Sequence, residues 1–256
     1  TITIFGDMGA GLGKLPVVLT GTLKDGKLTA NIGITWEEYK ITVDLVPLDA
    51  TSLDFSSNAV DLSGTSLAGM KADMTNKNLT IFLREGTEGV DAKEKNVVVG
   101  TTASSLSLTD GNDWGVTKDF TAAAVSYDRV FKTDNYVQSF VLPFGFTVPA
   151  GTTVAELSSV NGDNLVFKPV TATVANKPYL VVTTDKDFIN KLTNVQVKAT
   201  TGADLTTTVD GVSHIGSYTA QNVANVYGYA NGKFVKANTG SVKPFRTYIK
   251  VAGAQA

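Results

Sequence analysis

Four glycines and a lysine stand close together near the start of the chain. Gly6, Gly9, Gly11, Gly13 and Lys14 come directly after the β-like run "TITIF" at residues 1–5. Glycines ahead of a lysine suit a phosphate cradle, because backbone N–H groups can wrap the phosphates while the ammonium reaches them. The spacing denies that chemistry. Counted back from Gly13, the first glycine of a Walker A loop falls on Met8, and its hydroxyl position falls on Leu15. A dinucleotide fingerprint begun at Gly9 and Gly11 puts its third glycine on Lys14, and one begun at Gly11 and Gly13 puts it on Pro16. Either site also needs a helix next, so that the helix N-terminus meets the phosphate. The residues after Leu15 are instead "PVVLTGTL", a strand pattern. The stretch reads as a connection between two strands.

Other reactive types are sparse. The chain has no cysteine, which removes disulfides, thiolate nucleophiles and Cys-ligated metals. Its one histidine, His214, lies in "DGVSHIGSY" near Asp210 and Ser213. A Ser-His-Asp triad is defined in space rather than by nearness in sequence, and no G-x-S-x-G elbow occurs. His214 is expected to be structural or solvated. Paired carboxylates could hydrolyse glycosides. Glu37 and Glu38 are adjacent and would point apart, while Glu85, Glu88, Asp91 and Glu94 read as a solvated loop. "DGNDWG" at residues 110–115 resembles part of a calcium loop but lacks the remaining EF-hand ligands and the closing Glu. No catalytic, cofactor or metal residue is assigned.

The aromatic residues carry the one positive hint. Trp36, Tyr39 and Trp114 lie at or beside predicted turns, where an exposed ring can stack on the apolar face of a sugar. These three are the candidate glycan contacts. Trp36 also falls in register with the inward face of its strand, which is the core-packing alternative. Tyr227 and Tyr229 share one strand face, and core and surface fit them equally.

The elements that must position these groups are strands. Leu28, Ala30, Ile32, Ile34 and Trp36 alternate with Thr29, Asn31, Gly33 and Thr35, and Tyr39, Ile41, Val43 and Leu45 repeat the pattern before Pro47. Asp25-Gly26 and Asn231-Gly232 predict type I′ hairpins, and "VNGDNLVF" predicts a third with a slightly longer loop. Short apolar beads between residues 53 and 108 predict rung-like or meandering short strands. One helix is predicted over residues 185–192, with Thr184 as its cap. Boundaries are expected near residues 47–53 and 110–124.

Composition limits the partners. The chain has 256 residues, 43% hydrophobic and only 18% charged, with net charge −2. That size and apolar content support a proper core. The charge provides no footprint for nucleic acid and no polybasic membrane patch. No apolar run approaches the roughly 20 residues of a membrane helix. Low charge and absent cysteine fit an exported bacterial protein and are compatible with a cytosolic one. The opening in mid-strand at Thr1, without a signal peptide, reads as a processed or trimmed form.

The succession "NLTIFLREGTEG", "KNVVVG", "SLSLTDGNDWGVTKDFTAAAVSYDRVF", "FVLPFGFTV" and "ANKPYLV" resembles a C-terminal module of secreted and cell-surface proteins of Bacteroidetes. The likeness covers residues 51–250. "LPVVLTGTLKDGKLTANIGI" resembles the closing strands of a calycin-like β-barrel, although a whole barrel needs more strands than the first 46 residues supply. The resemblance implies a surface or secreted β protein, lipid-anchored or free, and no residue role. The expectation is thus an all-β chain in three parts: a β-meander or partial barrel at 1–48, a central short-strand region at 49–123, and an antiparallel β-sandwich at 124–256. Its expected function is non-catalytic binding or adhesion, with a glycan or protein ligand. The alternatives are a carbohydrate hydrolase with paired carboxylates and a structural spacer. No motif encodes the ligand's identity or the oligomeric state.

Overall fold

The computed structural model describes residues 2–7, 14–24, 27–36, 39–45, 59–63, 67–72, 80–83, 85–86, 95–230 and 232–252. For 2–45, 60, 62 and 67–72 it defines the strand pairing alone. Among these residues the regular structure is β-strand, apart from one short 3₁₀ turn, as the alternation and turn chemistry predict for an all-β fold.

Strands β1 (Ile2–Asp7), β2 (Lys14–Lys24), β3 (Lys27–Trp36) and β4 (Tyr39–Leu45) form an antiparallel meander. Lys24 pairs with Lys27, as the Asp25-Gly26 signal requires, and Trp36 pairs with Tyr39. Asp7 pairs with Lys14 across the Gly-rich connection, whose residues 8–13 lie outside the described set. A strand comes after that connection, so the helix that phosphate binding needs is replaced by β2.

The next strands are short. β5 (Ala59–Leu62) leads to β6 (Leu67–Ala72), which joins the meander beside β4. β7 (Thr80–Leu83), β8 (Val97–Val99), β9 (Thr102–Ala103) and β10 (Leu106–Leu108) come next. β5, β7 and β8 pair in parallel, and their buried runs such as Thr80-Ile81-Phe82-Leu83 suit strands covered on both faces. β11 (Phe120–Tyr127) lies parallel to β9 and β10. Buried Asp61 on β5 is held by the Lys118 ammonium and by the Ser63 amide and hydroxyl.

β12 (Gln138–Val141), β13 (Thr152–Asn161), β14 (Asn164–Val170) and β15 (Pro178–Thr183) form an antiparallel sheet in the order β12-β15-β13-β14. β16 (Thr193–Val197) returns to pair with β11. β17 (Thr206–Val209), β18 (Val212–Ser217), β19 (Gln221–Ala230), β20 (Lys233–Val242) and β21 (Arg246–Val251) form a second antiparallel sheet, ordered β17-β18-β21-β19-β20. Leu157, Val212 and Ile249 pack between these two sheets, which gives the sandwich its own core. A larger buried cluster runs from Ala59 and Phe82 through Phe140 and Val181 to Phe245.

Two local expectations change. Residues 185–192 form no α-helix; a four-residue 3₁₀ turn, Phe188–Lys191, stands there after Asp187. The chain has to leave β15 and enter β16 within residues 184–192, and the adjacent Phe188 and Ile189 are both buried. Burying neighbouring side chains suits a tight turn better than an amphipathic helix. Thr184 donates its hydroxyl to the Gly151 carbonyl (3.2 Å) instead of capping. The hairpin in "VNGDNLVF" is also tighter than expected: Asn161 pairs with Asn164, leaving Gly162 (φ +57°) and Asp163 as the loop. A glycine at positive φ in the first loop position is the type II′ solution.

Candidate functional site

Trp114 is not a surface platform. It is 1% exposed and sits among Tyr218 (6.0 Å between centroids) and Phe245 (6.5 Å). Gly111 (φ +81°) shapes the turn ahead of it, but the indole enters the core because burying so large an apolar ring is favourable. Trp36 and Tyr39 face each other in the β3–β4 register, and their side chains lie outside what the structure describes. Glu37, Glu38, Glu88, Asp91 and Glu94 are also outside it, and Glu85 is exposed.

The partial calcium pattern is spent on structure. Asp110 accepts from Arg246 Nη2 (2.7 Å) and from the Tyr127 hydroxyl (2.9 Å), and Asp113 accepts from the Ala220 amide (2.6 Å). Burial pushes the Asp110 carboxyl up, but the Arg246 guanidinium and the Tyr127 hydroxyl hold it below the usual carboxylate range.

His214 is 1% exposed on β18. Its Nε2 lies 2.6 Å from Thr247 Oγ1, its ring packs edge-on to Phe167, and its Nδ1 has no partner. Burial lowers its pKa to about 3, so it is neutral at ordinary pH. The neighbours that a triad would need are engaged elsewhere: Ser213 Oγ with Thr208 Oγ1 (2.9 Å), and Asp210 with the Val160 amide (3.4 Å). Asp210 (φ +49°) and Gly211 (φ +78°) form the tight loop between β17 and β18, a turn residue pair rather than a catalytic one.

A cleft of about 490 Å³ opens beside His214. Its walls come from β12, β18, β19, β20 and β21 and from the segment that carries Arg129 and Tyr136. Tyr136, Tyr227, Tyr229, Phe234 and Tyr248 supply rings. Tyr136 is 44% exposed, with the Lys132 ammonium 4.1 Å from its ring centroid. Tyr227 and Tyr229 are both half-buried, so the pair serves wall and surface together.

Arg129, Arg246 and Lys243 bring positive charge to the same cleft. Arg129 is 8% exposed; its Nη1 donates to the Ser139 carbonyl (2.9 Å), and its guanidinium lies 4.3 Å from the Phe131 centroid. Burial, and then repulsion by Arg246, lowers its pKa to about 10. Ser139 ties this wall to the next, since its hydroxyl accepts from the Thr247 amide (3.2 Å). Among the described residues lining the cleft, none is Asp or Glu.

The turn that presents Lys243 and Arg246 is strained. Pro244 sets its second position, the Arg246 amide donates to the Lys243 carbonyl (3.3 Å), and Phe245 takes φ +62°. A type II turn favours Gly at that third position. Phe245 is held there by full burial against Tyr127 (5.4 Å), Tyr218 (5.7 Å) and Trp114. Backbone strain of this kind persists where the surroundings over-determine it, and such places cluster at binding sites. Sequence reasoning missed this constellation, whose one local signal was Pro244 ahead of "FR". Comparison with known proteins adds no name to this geometry: no family model, no curated protein and no solved structure matches the chain.

Proposed function

We propose that this chain is a non-catalytic binding or adhesion module of an exported, cell-surface protein, and that its cleft is the ligand site. The observation that carries the reading is a cleft of about 490 Å³ walled by tyrosine and phenylalanine rings. Concave, aromatic-lined sites with a few polar groups are where proteins hold small ligands. A glycan suits this one, because pyranose C–H faces stack on such rings. Glycoside hydrolysis needs two carboxylates about 5 to 10 Å apart across the bond. The described lining offers rings and cations instead, which favours the binding reading over the hydrolase. Location at the surface rests on the low charged fraction, the absence of cysteine and the resemblance of residues 51–250.

A glycan array tests the reading. The wild type should bind at least one saccharide class, and Tyr136→Ala and Tyr229→Ala should weaken that binding about fivefold to tenfold, the scale of one stacking contact. Tyr136 is partly exposed, so its removal should leave the fold intact. Binding unchanged in both variants would place the ligand elsewhere.

A further inference from the structure

We propose that the cleft takes an acidic saccharide and seats the sugar's oxyanion, carboxylate or sulfate, among Arg129, Arg246 and Lys243. This deepens the binding reading and rests on it. The first argument is charge. Two guanidiniums share one carboxylate, Asp110, and that carboxylate is bonded to Arg246. Arg129 has no ion-pair partner among the described residues, yet it is nine-tenths buried. Lys243, at the exposed end of the strained turn, adds a further cation. A buried cation whose counter-charge is shared with a second cation is under-compensated, and an incoming anion lowers that cost.

The second argument is donor geometry. The Arg129 guanidinium has five N–H donors; the Ser139 carbonyl takes one through Nη1, and the Tyr127 hydroxyl takes another. A planar fork with donors left over matches a carboxylate or sulfate edge. The third is polarity nearby. His214 is a lining residue of the same cleft, and its Nδ1 is buried without a partner. The rings of Tyr136 and Tyr229 lie in the same lining and would hold a pyranose face while the cations hold its acid group.

The test is a panel of acidic glycans, their neutral counterparts (uronates against methyl esters, sialylated and sulfated chains against the bare sugars) and a poly-glutamate peptide. It is run on the wild type, Arg129→Met and Lys243→Ala. Acidic glycans should bind and their neutral counterparts should not, and the carboxylate and sulfate arms identify the anion. Binding should weaken tenfold or more in Arg129→Met, the scale of a charge-assisted hydrogen bond, and about threefold in Lys243→Ala. Lys243 is exposed, so that variant decides the matter even if Arg129→Met fails to fold. Equal binding of neutral and acidic glycans, unmoved by Lys243→Ala, overturns the anion assignment and leaves the binding reading standing. Binding of poly-glutamate without any glycan overturns the saccharide. Binding of nothing on the panel overturns both.

Discussion

His214 shows how a single residue's environment reverses what its type suggests. Imidazole titrates near neutrality in an unfolded chain, at about 6.5. In the fold its pKa is about 3, because burial disfavours the charged ring. The folded value lies below the unfolded one, so between them the unfolded chain takes up a proton that the native protein refuses. The resulting stability is complete above about pH 6.5 and is lost as pH falls from there toward 3. Near pH 5 the protein should be about 2 kcal/mol less stable than at pH 7.5. Denaturant unfolding at the two pH values measures this. The chain has one histidine, and carboxylates such as Asp61 and Asp110, held below their usual range, keep their stabilising contribution through this window and lose it mostly below about pH 4. His214→Gln should therefore flatten the profile between pH 5 and 7, and a wild-type profile already flat there would contradict the neutral buried ring.

At the scale of elements, the turns decide where side chains go. The Asp210-Gly211 and Gly162-Asp163 loops use residues that tolerate positive φ, so the hairpins they close are unstrained. The turn before β21 differs, because Phe245 occupies a glycine conformation to fill a pocket of aromatic rings. Packing holds a backbone that the residue itself disfavours by about 1 to 2 kcal/mol. Phe245→Ala should cost about 3 to 5 kcal/mol through the lost core contacts. Phe245→Gly should be at least as stable as Phe245→Ala in urea unfolding, the reverse of the usual order, because only glycine relaxes at φ +62°. An alanine variant clearly more stable than the glycine variant would show that the turn carries no such strain.

For the whole molecule, β11 is the strand that joins the parts. It pairs in parallel with β9 and β10 and antiparallel with β16, and so binds the short central strands to the later chain. The buried cluster crosses the same seam, from Phe82, Val98 and Leu106 to Phe140, Val195 and Phe245. A fragment of residues 124–256 would lose those central side chains and leave β16 without a full partner. It should give a poorly dispersed amide NMR spectrum, while the full chain gives a dispersed one. A well-dispersed fragment spectrum would show that the sandwich core between its two sheets suffices alone.

The sequence by itself determined what depends on near neighbours. Alternation at residues 28–36 and 39–45, and the Asp25-Gly26 and Asn231-Gly232 pairs, were enough to place strands and hairpins, because pleat and turn geometry act over a few residues. The same local logic ruled out a phosphate cradle at Gly9 to Lys14, where a strand stands in place of the required helix. Tertiary structure alone decided what depends on distant partners. Trp114 reads as a turn aromatic and is buried, because Tyr218 and Phe245 close over it from the far end of the chain. Residues 185–192 read as a helix and become a short 3₁₀ turn, because β15 and β16 fix where that segment starts and ends. Arg129, Tyr136, Lys243 and Arg246 share no spacing that a pattern could catch. They meet only when β12 and β21 come together through Ser139, and the cleft exists through that meeting.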